Sequence, residues 1–106
     1  MELYQLTAHE LHDKLKAKEI SSAEIVKSVL ANIGAVEGKV KAFMTVTEDE
    51  AYRMAEEAEV RFSKDKGVTP LTGIPVVVKD NMCSKGIPTT CSSKILSDFR
   101  PPYDAT

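Results

Sequence analysis

Thr72-Gly73-Ile74-Pro75-Val76-Val77-Val78-Lys79-Asp80-Asn81 holds the most apolar run of the 106-residue chain, and the run ends on a lysine. Ile74 to Val78 is β-branched apart from Pro75 and is bounded by Gly73. It is too short for a typical helix, so it predicts a strand over residues 74–79, buried on both faces. Pro75 fits only near the start of such a strand, because it cannot donate to a ladder. Alternation puts Val77 and Lys79 on one face and Val76 and Val78 on the other. Lys79 then leaves the end of a buried strand among apolar neighbours. Loss of solvation disfavours the ammonium form, and a lysine so placed can accept a proton. The competing expectation is a lysine that snorkels to water or pairs with the adjacent Asp80.

Composition bounds the rest. The chain is 42% apolar and 28% charged, as in an ordinary soluble domain with a modest core. A net charge of -2 argues against general nucleic-acid binding by this chain alone. Met1-Glu2-Leu3-Tyr4 carries no basic region, and no long apolar run follows, so neither a signal peptide nor a membrane-spanning helix is expected. That points to a cytoplasmic protein. Cys83 and Cys91 have no secretory context and read as reduced, small apolar side chains. His9 and His12 lie far from them in sequence, so no metal site is expected, and no cofactor-binding residue stands out.

Upstream, three helices are predicted, over residues 7–17, 21–37 and 47–66. Thr7 with Glu10 and Ser21 with Glu24 have capping-box spacing, with Leu6–Leu11 and Ile20–Ile25 as hydrophobic staples. Leu11 and Leu15 share a face of the first helix, whose polar side takes His9 and His12. Ile25, Val26, Val29, Leu30, Ile33 and Val36 form a broad stripe on the second, with Gly38 as its C-cap. Residues 40–46 alternate enough to predict a short strand. Thr47 then caps a third helix whose buried stripe is Ala51, Met54, Ala55, Ala58 and Phe62, stopped by Gly67. Downstream of Asn81 the pattern is irregular: a hydroxyl cluster at Thr89-Thr90-Cys91-Ser92-Ser93, a Pro101-Pro102 elbow, and Asp104 as the N-cap of a further helix. The order helix, helix, strand, helix, strand is the opening of an α/β protein.

Gly73-Ile74-Pro75-Val76-Val77-Val78-Lys79-Asp80-Asn81 resembles the lysine segment of the amidase signature family. Lys85-Gly86-Ile87-Pro88-Thr89-Thr90-Cys91-Ser92-Ser93-Lys94-Ile95-Leu96, Phe99 and Pro101-Pro102-Tyr103-Asp104-Ala105-Thr106 are similar to its tRNA-dependent amidotransferase branch, which serves Glu-tRNA(Gln) or Asp-tRNA(Asn). Ser21-Ser22-Ala23-Glu24 and Val40-Lys41-Ala42-Phe43 fit that branch as well. The resemblance implies the N-terminal part of a fold in which helices flank a mixed β-sheet, here truncated. It implies a Ser-cisSer-Lys triad with Lys79 as the base and glutamine as substrate. It also implies subunits B and C in a heterotrimer, in which the partner subunit holds ATP and magnesium and aminoacyl-tRNA is reached through the complex. The family's two serines lie in a Gly/Ser-rich stretch downstream, so this chain is expected to lack both and to be inactive alone. Ser92 and Ser93 are no substitute, because they lack the glycines of an oxyanion hole. Two other readings stay open: another amidase-signature amide hydrolase, and a small α/β interaction module without catalysis.

Overall fold

Reciprocal capping starts the first two helices of the computed structural model, which describes residues 1–106. A short 3₁₀ turn, Leu3–Gln5, comes first. The Thr7 hydroxyl accepts from the Glu10 N–H at 3.3 Å, and the Glu10 carboxylate accepts from the Thr7 N–H at 2.8 Å. These bonds open α1, Ala8–Lys16. Ser21 and Glu24 make the same exchange at 3.1 and 3.0 Å and open α2, Ser22–Val40. Each box satisfies N–H groups that a helix start would otherwise leave without partners. In α3, Glu48–Lys64, acidic residues fill the first turn and Arg61 and Lys64 the last, as the helix dipole favours.

The chain divides into two compact units, Met1–Ala42 with Glu48–Pro75, and Phe43–Thr47 with Val76–Thr106. The first is helical. Its core is Leu11, Leu15 and Ile25, and Leu3, Leu6, Ile20, Val29, Phe62 and Ile74 pack around it. Both staple residues therefore do what their spacing predicts. Ala55 and Ala58 are buried on α3, where small side chains let α2 and α3 approach closely. The Ala23 N–H at the start of α2 donates to Glu59 of α3 at 3.0 Å. Gly73, near the end of the unit, is left-handed, φ +80, and a Cβ there would meet Leu15 Cδ1 and Ser22 Oγ at 3.3 Å. The buried Ser22 hydroxyl donates to its carbonyl at 2.9 Å.

Several expectations are corrected. No strand forms over residues 40–46: α2 runs through Gly34 and Gly38 to Val40, and Lys41 adopts a left-handed cap, φ 51. Helix propagation adds one hydrogen bond per residue, which outweighs the cost of about 1 kcal/mol per internal glycine. The helix consequently carries its stripe past its cover, and Val36 and Val40 are exposed. No strand forms over residues 74–79 either, and the chain's only β pairing is an isolated bridge between Ser84 and Ile87. Val76, Val77 and Val78 are 70%, 73% and 51% exposed. Apolar patterning expresses a tendency to be buried, but a strand exists only when its backbone meets a ladder partner. The α/β expectation is thus met in its helices alone.

α3 stops at Lys64 instead of residue 66. Lys66 N–H reaches the Arg61 carbonyl at 3.1 Å and Asp65 N–H the Phe62 carbonyl at 3.3 Å. This is a Schellman closure with Asp65, φ 48, at the left-handed position two residues before Gly67. Met54, expected in the core, is exposed, because the buried edge of α3 is the narrower Ala55–Ala58 line. His12, expected on the solvated side, is half-buried with its ring 6.4 Å from that of Phe62.

The second unit is a folded loop. Gly86 N–H donates to the Pro101 carbonyl at 2.9 Å, Thr89 N–H to Phe99 at 3.0 Å and Ala105 N–H to Cys83 at 2.7 Å. Asp104 caps no helix; its carboxylate accepts from the Lys85 N–H at 2.7 Å. Pro101 is fully buried, so the elbow is an anchor of this unit.

Candidate active site

Lys79 sits in the second unit at the start of a turn, where its carbonyl accepts from the Met82 N–H at 3.0 Å. The side chain is exposed and makes no ion pair. The apolar surroundings expected of it are absent because the valine run before it is uncovered.

The adjacent carboxylate is engaged elsewhere. Asp80 accepts from the Thr90 N–H at 2.9 Å and from the Thr90 hydroxyl in a short hydrogen bond. Its own carbonyl accepts from the Cys91 N–H at 2.9 Å. The Thr90 hydroxyl and N–H, in that order, with the Ser92 backbone, hold the Asp80 carboxyl below the usual carboxylate range. Thr89 and Thr90 are buried, and Thr90 Oγ1 also accepts from the Ser92 N–H at 3.2 Å. The next two residues, Cys91 at φ 49 and Ser92 at φ 59, are both left-handed without being glycine. Each such conformation costs about 1–2 kcal/mol, and the Asp80 bonds end on Thr90 and on the Cys91 N–H, at the entry to this pair.

Sequence reasoning placed Lys79 and Asp80 together but missed the partner of Asp80. A hydroxyl ten residues on in a loop carries no periodic signal; the only hint was the Thr89–Ser93 hydroxyl cluster. Ser92 and Ser93 both donate their N–H groups to Thr90, Ser92 to its hydroxyl and Ser93 to its carbonyl at 2.8 Å, as in a turn. The neighbouring Cys83 side chain raises the Tyr103 phenol above its ordinary value. A hollow of about 410 Å³ lies in the helical unit, lined by Leu15, Ser22, Glu59 and Phe62 among others. Ser22 and Glu59 already serve the structure there. No three His, Cys, Asp or Glu side chains converge on a point that could hold a metal ion. No helix is long and apolar enough to cross a membrane.

A family model described as Amidase matches residues 24–106, most of the chain and all of the lysine block. The chain belongs to the amidase family. Three relatives are named as glutamyl-tRNA(Gln) amidotransferase, in each case the subunit designated A. Those of Geotalea daltonii, Geobacter sulfurreducens and Heliobacterium modesticaldum are 58%, 54% and 51% identical over all 106 residues. The chain spans 22% of the length of each. Among solved structures it resembles a chain from a vestigial protein complex said to reveal the evolutionary origins of an s-triazine catabolic enzyme. The TM-score is 0.85 at 28% identity, over 93% of this chain and 22% of that one. This amidase-family chain therefore follows a known backbone path over nearly all its length, although its own residues contain no sheet.

Proposed function

We propose that this chain is the N-terminal part of the glutaminase subunit of a tRNA-dependent amidotransferase in the cytoplasm. The observation that carries the reading is identity of 51% to 58% along every one of its 106 residues to relatives named as that component of the enzyme. The Lys79 block lies inside the amidase match. In this reading a serine attacks the side-chain amide carbon of glutamine. A second serine on a cis peptide relays the proton, and Lys79 receives it. The proton returns to the leaving nitrogen, ammonia departs, and water releases glutamate from the acyl-enzyme. Both serines belong to the part of the relatives' length that this chain does not span. Ammonia passes to the partner subunit of a heterotrimer with subunits B and C. ATP and magnesium there support amidation of Glu-tRNA(Gln) or Asp-tRNA(Asn). Residues 74–79 join the family's mixed sheet once the rest of the protein supplies neighbouring strands; the uncovered Val76–Val78 supports this.

The 28% identity to a chain linked to s-triazine catabolism favours a second reading, hydrolysis of a small free amide. The two separate on the natural full-length protein: co-elution with two other subunits supports the first, and a lone hydrolase the second.

Lys79→Ala in the full-length complex tests the assignment. Glutamine-dependent amidation is expected to fall at least about a hundredfold, as for loss of a catalytic base, while ammonium-dependent amidation survives. Lys79→Arg is expected to fail with glutamine as well, since guanidinium stays protonated. Equal loss with both nitrogen donors, or an active Lys79→Arg, would remove Lys79 from the role of base.

A further inference from the structure

Asp80 is the carboxylate next to Lys79 in the chain, and the structure commits it to another partner. We propose that the Asp80–Thr90 clasp is a positioning device for Lys79, pinning the turn that carries the lysine and withholding the neighbouring carboxylate from its amine. This rests on the reading of Lys79 as the base.

Three observations converge. The turn is tied from both ends: the Lys79 carbonyl takes the Met82 N–H, and the Asp80 carbonyl takes the Cys91 N–H at 2.9 Å. The Asp80 side chain accepts both the N–H and the hydroxyl of Thr90, a residue buried enough that water offers no ready substitute. The paired left-handed residues Cys91 and Ser92 come directly after Thr90, so backbone strain is held where the clasp closes. A base has to be held within about half an ångström of its productive position, and the pinned turn fixes the backbone from which the four-methylene Lys79 side chain reaches out. Of the other charged groups of the unit, Asp104 takes the Lys85 N–H and Arg100 donates to the Gly86 carbonyl at 2.9 Å, while the Lys85, Lys94 and Asp98 side chains lie further along the chain from Lys79. The free cation adjacent to Asp80 in the chain is Lys79. A carboxylate released from Thr90 would pair with it, and such pairing favours the charged amine that the base role forbids.

The test uses the full-length protein in its natural complex, with Thr90→Val, Thr90→Ser, Asp80→Asn and Lys79→Ala compared under glutamine and under ammonium. Thr90→Val keeps the shape and removes the hydroxyl. Its glutamine-dependent kcat is expected to drop between about tenfold and a hundredfold, with KM and the ammonium-dependent rate near the parent values. The acid limb of its glutamine pH–rate profile is expected to move up by about one unit or more. Thr90→Ser restores rate and profile. Asp80→Asn loosens the clasp but leaves no carboxylate to pair with the lysine, so its rate falls while its profile stays in place. Thr90→Val matching the parent in rate and profile, while Lys79→Ala abolishes glutamine use, overturns the inference alone. Equal loss with both nitrogen donors in Thr90→Val also overturns it, because a merely structural role predicts that. Lys79→Ala retaining glutamine use instead overturns the reading of the site itself.

Discussion

Gly73 shows how one residue couples the core to the lysine segment's start. Its φ of +80 strains any L side chain, and a Cβ there would press on Leu15 and Ser22 at 3.3 Å, so both would have to give by a few tenths of an ångström. Gly73→Ala combines conformational strain with a tight contact against a core leucine. It is expected to lower the stability of the full-length protein by about 2–4 kcal/mol. Ser22→Ala leaves the Gly73 carbonyl without its donor in a buried place and is expected to cost about 1–2 kcal/mol. Chemical denaturation of the two variants checks the order: if Ser22→Ala costs more than Gly73→Ala, the packing account of this corner is wrong.

At the scale of elements, α2 and α3 are joined by size and by charge. Ala55 and Ala58 give the close approach, and Glu59 receives an N–H from the positive end of α2. Ala58→Leu pushes a branched side chain into a closed seam, as overpacking does, at a cost of about 1–3 kcal/mol. Glu59→Ala removes one hydrogen bond and one favourable charge and is expected to cost about 1–2 kcal/mol. Met54→Ala, on the exposed edge of the same helix, is expected to change stability by less than about 0.5 kcal/mol. Thermal unfolding of the three variants side by side reads the ranking. A Met54→Ala loss equal to that of Ala58→Leu would contradict the orientation of α3.

At the scale of the whole molecule, the uncovered Val76-Val77-Val78 run is decisive. Three adjacent exposed valines with free backbone groups offer an edge on which another chain can pair. The isolated 106-residue chain is therefore expected to self-associate or to melt without a sharp cooperative transition, and Val77→Lys is expected to reduce the association. In the proposed reading, which puts both serines outside these residues, it is also expected to release no ammonia from glutamine above background. Light scattering and an ammonia assay on the purified chain are the measurements. A monomer with a sharp two-state melt would show that the valine run needs no cover.

Local chemistry was enough to specify the three helices from the residues themselves. Capping boxes at Thr7–Glu10 and Ser21–Glu24, staples at Leu6 and Ile20, and the Leu11–Leu15–Ile25 core act over a few residues each, and pattern reading sees such distances. The lysine block was legible for the same reason: its signature is contiguous, and the family match includes it. The exposure of Met54 and the fate of residues 74–79 were decided by tertiary structure. Each depends on what lies opposite in space, and a strand in particular depends on a partner backbone that no local pattern encodes. The Asp80–Thr90 clasp belongs to the same class: two polar residues ten positions apart meet only because the loop between them folds back, with two left-handed residues closing it.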